Sequence, residues 1–434
     1  MEKLKNCRIM GMPVIPYMIV LAIILIAMYT GNLGGDLLST IVMLIALGSI
    51  LFEIGDRIPV FNKRVGGGSM LAMMFTSWMV YVHLIPEKYV ESVTNFYDTF
   101  GFQTLFICFL MAGSLLVIER DILIKSIVRY IPTILIGVAG AAVLGLVVGL
   151  ALGYMPSELV CYYILPIMGG GNGAGAIPMS QIFHEVTGLD KDIYYAKAIA
   201  ILTFANILCV FVAALLNGVG RQFPKLTGDG ATLMRNSQKE TITDKKMQLP
   251  SPTPRDLATC FAWVGGAYAL ACIMSKVMPK VMGASIHQYA WFILVLVICN
   301  IFNLIPVEIR SACKAVVGGI NRYWQGLTMA AIGISMTDFG EFISVINVDT
   351  LIISLAVVIG AVLATAVGGW AFGFYPVDSA VTAGLCMANR GGGGDIVVLG
   401  AANRMDLMSY AAISSRIGGS IVLVIASVVF GILY

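Results

Sequence analysis

The sequence predicts an all-α polytopic membrane protein, and three observations carry that expectation. Of its 434 residues 59% are hydrophobic and 12% charged, about half the ~25% charge of soluble domains. Mean hydropathy is +0.90. The apolar residues gather into runs that approach or exceed the ~20 residues needed to cross a bilayer, and two further apolar stretches are broken mid-course by glycines.

Taken in order, the runs lie near 14–31, 37–54, 66–84, 100–118, 130–154, 193–216, 256–275, 288–305, 323–337, 350–373 and 407–433. They predict about eleven transmembrane helices. Lys3, Lys5 and Arg8 precede the first run with no small-residue cleavage site after it, which predicts an uncleaved first span. The stretches 158–184 and 377–402 carry Gly-rich breaks at their centres and predict two re-entrant helical hairpins.

Basic residues set the orientation. Arg57, Lys63 and Arg64 fall in one loop, and Arg120, Lys125 and Arg129 in the next but one. Arg221, Lys225, Arg235, Lys239, Lys245, Lys246 and Arg255 follow, then Arg310, Lys314 and Arg322. The alternate loops hold Glu87, Glu91, Asp98, Asp338 and Glu341, with Lys276 and Lys280 as exceptions. This places the N-terminus in the cytoplasm and the C-terminus outside it. The polar stretch 217–255, with its Pro-Ser-Pro-Thr-Pro run, reads as a mobile cytoplasmic linker between two halves. Each half holds a long span, a broken segment and another span, and the two hairpins enter from opposite sides. That is the pattern of an inverted repeat with a site at the midplane.

Composition also excludes several classes. A net charge of +3 and the lack of a basic–aromatic patch argue against nucleic acid. Nine scattered cysteines without CxxC or His–Cys spacing indicate neither a disulfide framework nor a metal centre. His83, His184 and His287 are isolated, and no Ser–His, paired-Asp or HExxH constellation lies in the spans, which disfavours an enzyme. Gly171-Asn-Gly-Ala-Gly175 lacks the Gly-Lys-Ser/Thr that a phosphate loop needs, so nucleotide binding is rejected.

The charges that remain inside apolar sequence carry the function. Arg390 sits in Met387-Ala-Asn-Arg-Gly-Gly-Gly-Gly-Asp395, and Arg416 in Ile413-Ser-Ser-Arg-Ile-Gly-Gly419. An arginine at membrane depth costs ~2.5–3.5 kcal/mol on insertion scales and needs a partner or a wet cavity. Two guanidinium groups beside glycine loops with free N–H donors suit an anion bearing two or more carboxylates. Pairing with an internal acid such as Asp395 or Asp378 is the competing reading; the glycine setting of Arg390 favours the anion there. Asn172 and Gly173 offer an amide and a backbone N–H to the same anion, or else form a plain turn. Oxygens at Ile167, Gly169, Met387, Asn389 and Ser415 suit a hard alkali cation, although any broken helix frees carbonyls.

These motifs resemble those of the 2-hydroxycarboxylate transporter family, especially its sodium–citrate carriers. Gly169-Gly-Gly-Asn-Gly-Ala-Gly175 and Met387-Ala-Asn-Arg-Gly-Gly391 are similar to its two hairpin motifs. Asn403-Arg-Met405 and Ile413-Ser-Ser-Arg-Ile-Gly-Gly419 match the segments that follow. The resemblance runs the length of the chain. It implies a homodimer in a bacterial inner membrane, with elevator-type alternating access driven by sodium and no further cofactor. The static dimerisation scaffold is then expected at 1–130 and 256–349. The moving transport domain is expected at 131–216 and 350–434, with 217–255 as the linker. Asn172, Gly173, Arg390, Gly392 and Arg416 become the implied substrate contacts, and Ile167, Gly169, Met387, Asn389 and Ser415 the implied sodium ligands. Gly393, also in the substrate set, stands where those citrate carriers have serine; the lost hydroxyl makes malate, or a broader specificity, more credible. The expected function is import of citrate and/or malate with sodium. Proton-coupled symport and precursor/product exchange are the alternatives within the family, and a non-transporting receptor is a third.

Overall fold

The computed structural model describes residues 8–9, 11–58, 67–116, 120–230, 232–235, 249–279 and 286–434, with backbone alone at 114, 120–128, 174, 321–322 and 393. Lys3, Lys5, Lys63, Arg64 and Lys280, and 236–248 of the expected linker, lie outside the described residues. Among the described residues the protein is helical almost throughout, with a two-stranded pairing of Arg8–Ile9 and Met12–Pro13 near the N-terminus and an antiparallel bridge between Met234 and Phe374.

Helices stand at every expected apolar run. Six of those described are long and apolar enough to cross a membrane: Leu37–Arg57, Arg129–Ala151, Lys191–Gln222, Pro254–Val277, Val348–Ala371 and Met405–Leu433. A seventh follows if Glu87–Thr99 and Phe102–Gly113, bent by 47°, form one span. Val14–Tyr29 and Gln288–Ile301 are apolar but shorter. Capping fixes several starts. Asp36 accepts from the Leu38 and Ser39 amides, and the Ser39 hydroxyl bonded to it holds its carboxyl below the usual range. Thr253 and Asp256 form a reciprocal capping box around Pro254, and Asn347 accepts from Thr350 N at 2.8 Å.

The chain forms two compact units. The first, 1–106 with 317–343, is built on Leu37–Arg57, Gly67–Tyr81 and Gln325–Ser335. Ser77 bonds the Thr337 carbonyl at 2.6 Å within it. The second, 107–316 with 344–434, holds every candidate site residue. The expected scaffold part 256–349 thus falls partly in each. In the second unit Arg120–Ala151 lies along Val348–Ala371, the two helices that precede the broken segments.

Both broken segments are pairs of helical limbs. In the first, Pro156–Glu158, Leu159–Ile164 and Leu165–Ile167 lead to a break at 168–171, then Asn172–Ala176 and Ile177–Thr187. Rings of Tyr162 and Phe183, one on each limb, lie 6.0 Å apart, so the limbs run side by side. In the second, Pro376–Ser379 and Ala380–Leu385 lead to a break at 386–392, then Gly393–Ala401. Its ends also meet, because Arg404 Nε lies 2.5 Å from Asp378 Oδ1.

Part of the stretch expected to be a linker is described. Residues up to 222 complete the helix Lys191–Gln222, and 224–230 and 232–235 are docked on the second hairpin's base, with Leu233 buried and Arg235 N donating to the Gly373 carbonyl at 2.8 Å. A buried carboxylate, Asp378, draws the segment in, because it needs hydrogen-bond donors that water cannot supply there.

Candidate functional site

The site forms where the two breaks face each other. Gly170 and Gly171 have φ of 77° and 111°, and Gly391 and Gly392 have 67° and 48°, left-handed backbone that glycine adopts without strain. Sterics demand glycine as well. A β-carbon on Gly171 would stand 2.1 Å from the Arg390 carbonyl oxygen, and one on Gly391 2.6 Å from that of Gly170. One on Gly170 would stand 2.1 Å from the Ser415 carbonyl oxygen. Three chain segments therefore touch backbone to backbone: both hairpin tips and the widened turn Ser414–Gly418 of the last helix.

Asp395 knits this junction together. It is 2% exposed and accepts from Asn389 Nδ2 at 3.0 Å and from Ser415 Oγ at 2.9 Å. Asn389 Oδ1 in turn accepts from Gly391 N at 2.5 Å. The helix Lys191–Gln222 backs both tips. Its Asn206 Oδ1 accepts from Arg390 N at 3.4 Å, and its Tyr195 hydroxyl donates to Asn172 Oδ1 at 2.8 Å.

The structure brings most expected residues to this junction. Asn389 and Ser415 share Asp395, Met387 lies against Gly418, and the Gly169 carbonyl abuts Gly419. Asn172 is buried and opens the second limb of the first hairpin, and Gly173 beside it faces Leu110. Arg390 lies half-buried in the second break, Gly392 is exposed there, and Gly393 starts the helix Gly393–Ala401. Arg416 is exposed in the widened turn. Ile167, fully buried, ends the first limb without a described polar contact of its own to the junction.

Two expected pairings resolve differently. Asp378 pairs with Arg404 and not with Arg390 or Arg416. Asp395, the other acid named for those arginines, accepts hydrogen bonds from Asn389 and Ser415. Sequence reasoning missed Tyr195 and Asn206. Their signal was present, as polar groups inside an otherwise apolar helix. Among the described residues no cluster of His, Cys, Asp and Glu could hold a transition metal. The junction's oxygen-rich donors suit a hard cation of low charge far better.

Apolar spans and a polar centre made from interrupted helices define a multi-pass membrane protein of the transporter class. Residues 9–428 match the 2-hydroxycarboxylate transporter family, and the chain belongs to it. It is 40% identical to the citrate/sodium symporter of Salmonella typhimurium over 98% of this chain and 95% of that one. It is 29% identical to the malate transporter MleP of Lactococcus lactis subsp. lactis over 100% of each. The citrate transporter CitP of the same subspecies is 28% identical over 98% of this chain and 94% of its own.

Proposed function

We propose that the protein is a symporter that imports citrate and/or malate with sodium across a bacterial inner membrane. The observation that carries this reading is the junction of the two glycine tips with Ser414–Gly418. It sets Arg390, Arg416 and Asn172 on the segments that surround one polar centre. In this reading sodium binds among the oxygens of Asn389, Ser415 and Asp395 with the carbonyls of Ile167, Gly169 and Met387. Its charge replaces the hydrogen-bond donors that now hold Asp395, and it fixes the Asn389 carboxamide and with it the Gly391 amide. The carboxylates then bridge Arg390 and Arg416 and take further donors from Asn172, Gly173, Gly392 and Gly393. Loaded with both ions, the centre is closer to neutral, which lowers the cost of carrying it through the membrane.

The same reading takes the two broken segments as re-entrant hairpins in an inverted repeat among about eleven spans, with the N-terminus cytoplasmic and the C-terminus outside. The hairpins and their flanking helices, 131–216 and 350–434, form the moving domain of an elevator, and 1–130 with 256–349 the static scaffold of a homodimer. The substrate and sodium of the Salmonella relative and the substrate of the malate relative support the choice of cargo.

A second reading, proton coupling, draws on Asp395, a buried carboxylate at the junction that could take a proton where sodium would sit. Thermal unfolding in detergent separates the two. Citrate or malate should raise Tm only when sodium is present, since a ligand stabilises only the state that binds it. Equal stabilisation in sodium and in potassium, growing as pH falls, would favour the proton.

A further inference from the structure

One corner outside the candidate site joins four chain segments through a single arginine. Arg404 follows the second limb of the second hairpin and is 4% exposed; Asp378, on the first limb, is 0% exposed. Arg404 Nε donates to Asp378 Oδ1 at 2.5 Å and Nη2 to Thr227 Oγ1 at 2.7 Å. Nη1 donates to Asn217 Oδ1 at 3.4 Å and to the Ala402 carbonyl. The other Asp378 oxygen accepts from Gly228 N at 2.7 Å. The helix Lys191–Gln222 is notched to admit the guanidinium, because a β-carbon on Gly220 would stand 2.8 Å from Nη2.

The segment 224–230 that enters this corner is followed at 232–235 by a strap over the hairpin base. Tyr375 N donates to the Leu233 carbonyl at 3.0 Å and Arg235 N to the Gly373 carbonyl at 2.8 Å, flanking the antiparallel pair Met234 and Phe374. The Arg235 guanidinium also lies over the Trp370 ring, 5.3 Å from its centroid. Separating a buried ion pair exposes two charges to a poor solvent, so this corner resists coming apart.

We infer that Arg404 is a positioning residue for transport. Through Asp378, Thr227 and Asn217 it rivets the strap and the helix Lys191–Gln222 to the base of the second hairpin. The strap then travels with the hairpin as a third limb, and the stiffened base holds Asn389, Arg390 and Gly391 in register with Asn206 on the same helix. This rests on the reading that the hairpins carry the substrate.

Crosslinking tests the strap in the full-length protein. Met234 and Phe374 form a non-hydrogen-bonded pair, whose side chains approach closely enough for a disulfide. With Met234→Cys and Phe374→Cys joined by copper–phenanthroline, uptake into proteoliposomes should stay within about twofold of the reduced protein, because a link inside one rigid body restricts no motion. Wild type treated alike accounts for the native cysteines. Uptake that collapses on oxidation and returns on reduction overturns the strap's assignment.

Arg404→Lys tests positioning. Lysine keeps the charge but cannot supply the planar fork. In the correctly folded fraction, KM for citrate or malate should rise about tenfold, as misplaced binding groups produce. Lower yield or Tm with an unchanged KM would show a purely structural role and sink the inference. If wild type moves neither acid, the functional reading itself has failed; if wild type transports normally while Arg404→Lys shows the same KM, only this inference has.

Discussion

The carbonyl oxygen of Arg390 occupies the space that a side chain on Gly171 would need: a β-carbon there would stand 2.1 Å from it. The tip of one hairpin is thus seated against the tip of the other with no room for a methyl group.

Gly171→Ala should therefore disable the junction. The φ of 111° adds strain of ~1–3 kcal/mol to the clash. Uptake should fall at least about tenfold while the protein still inserts and elutes as a single species, since each kcal/mol and a half shifts an equilibrium by about that factor. Near-normal uptake would mean that the tips do not meet during transport.

Arg390→Ala and Arg416→Ala should each remove a charge-assisted contact to the substrate, worth ~1.5–3 kcal/mol. The expected loss of apparent affinity is about ten- to a hundredfold for either acid. Lysine at either position should restore only part, because it lacks the bidentate fork. Flux assays on the purified variants decide this; unchanged kinetics in both would remove the arginines from the site.

Asp395→Asn keeps the shape of the carboxylate shared by Asn389 and Ser415 but deletes its charge. Sodium half-saturation should rise by about tenfold, the scale of one charge-assisted contact. Ser415→Ala should move it less. A sodium response unaltered by Asp395→Asn would locate the cation elsewhere.

Tyr195→Phe deletes the hydroxyl that engages Asn172 Oδ1. Losing one buried hydrogen bond of ~1 kcal/mol should raise substrate KM about fivefold, with sodium half-saturation little changed. A shift in sodium dependence alone would assign Tyr195 to the cation instead of the anion.

Gly393→Ser adds the hydroxyl that the family resemblance leads one to expect of a citrate carrier. The citrate-to-malate uptake ratio should rise about fivefold, one hydrogen bond's worth. No change in the ratio would show that this position does not read the third carboxylate.

The helices and both broken segments were legible in the sequence, because apolar length and glycine runs are local signals. Arg390, Asn389 and Ser415 were legible too, as polar residues in an apolar setting. The partners were not. Asn206 lies 184 positions from Arg390, and Thr227 177 from Arg404, and nothing local marks either contact. The sequence offered Asp378 to Arg390 or Arg416; the fold, which returns the second hairpin's limbs to one base, pairs it with Arg404. The docking of the strap was illegible for a related reason. Its Gly, Thr and Pro composition is that of a linker, yet a buried carboxylate across the chain holds it down.

Uptake of radiolabelled citrate and malate into proteoliposomes, with and without an inward sodium gradient, decides whether the protein couples either acid to sodium. At least one acid should accumulate, and its accumulation should depend on sodium. Accumulation driven by a proton gradient alone would keep the anion site and remove the sodium site, and no flux of either acid under any gradient would contradict the account.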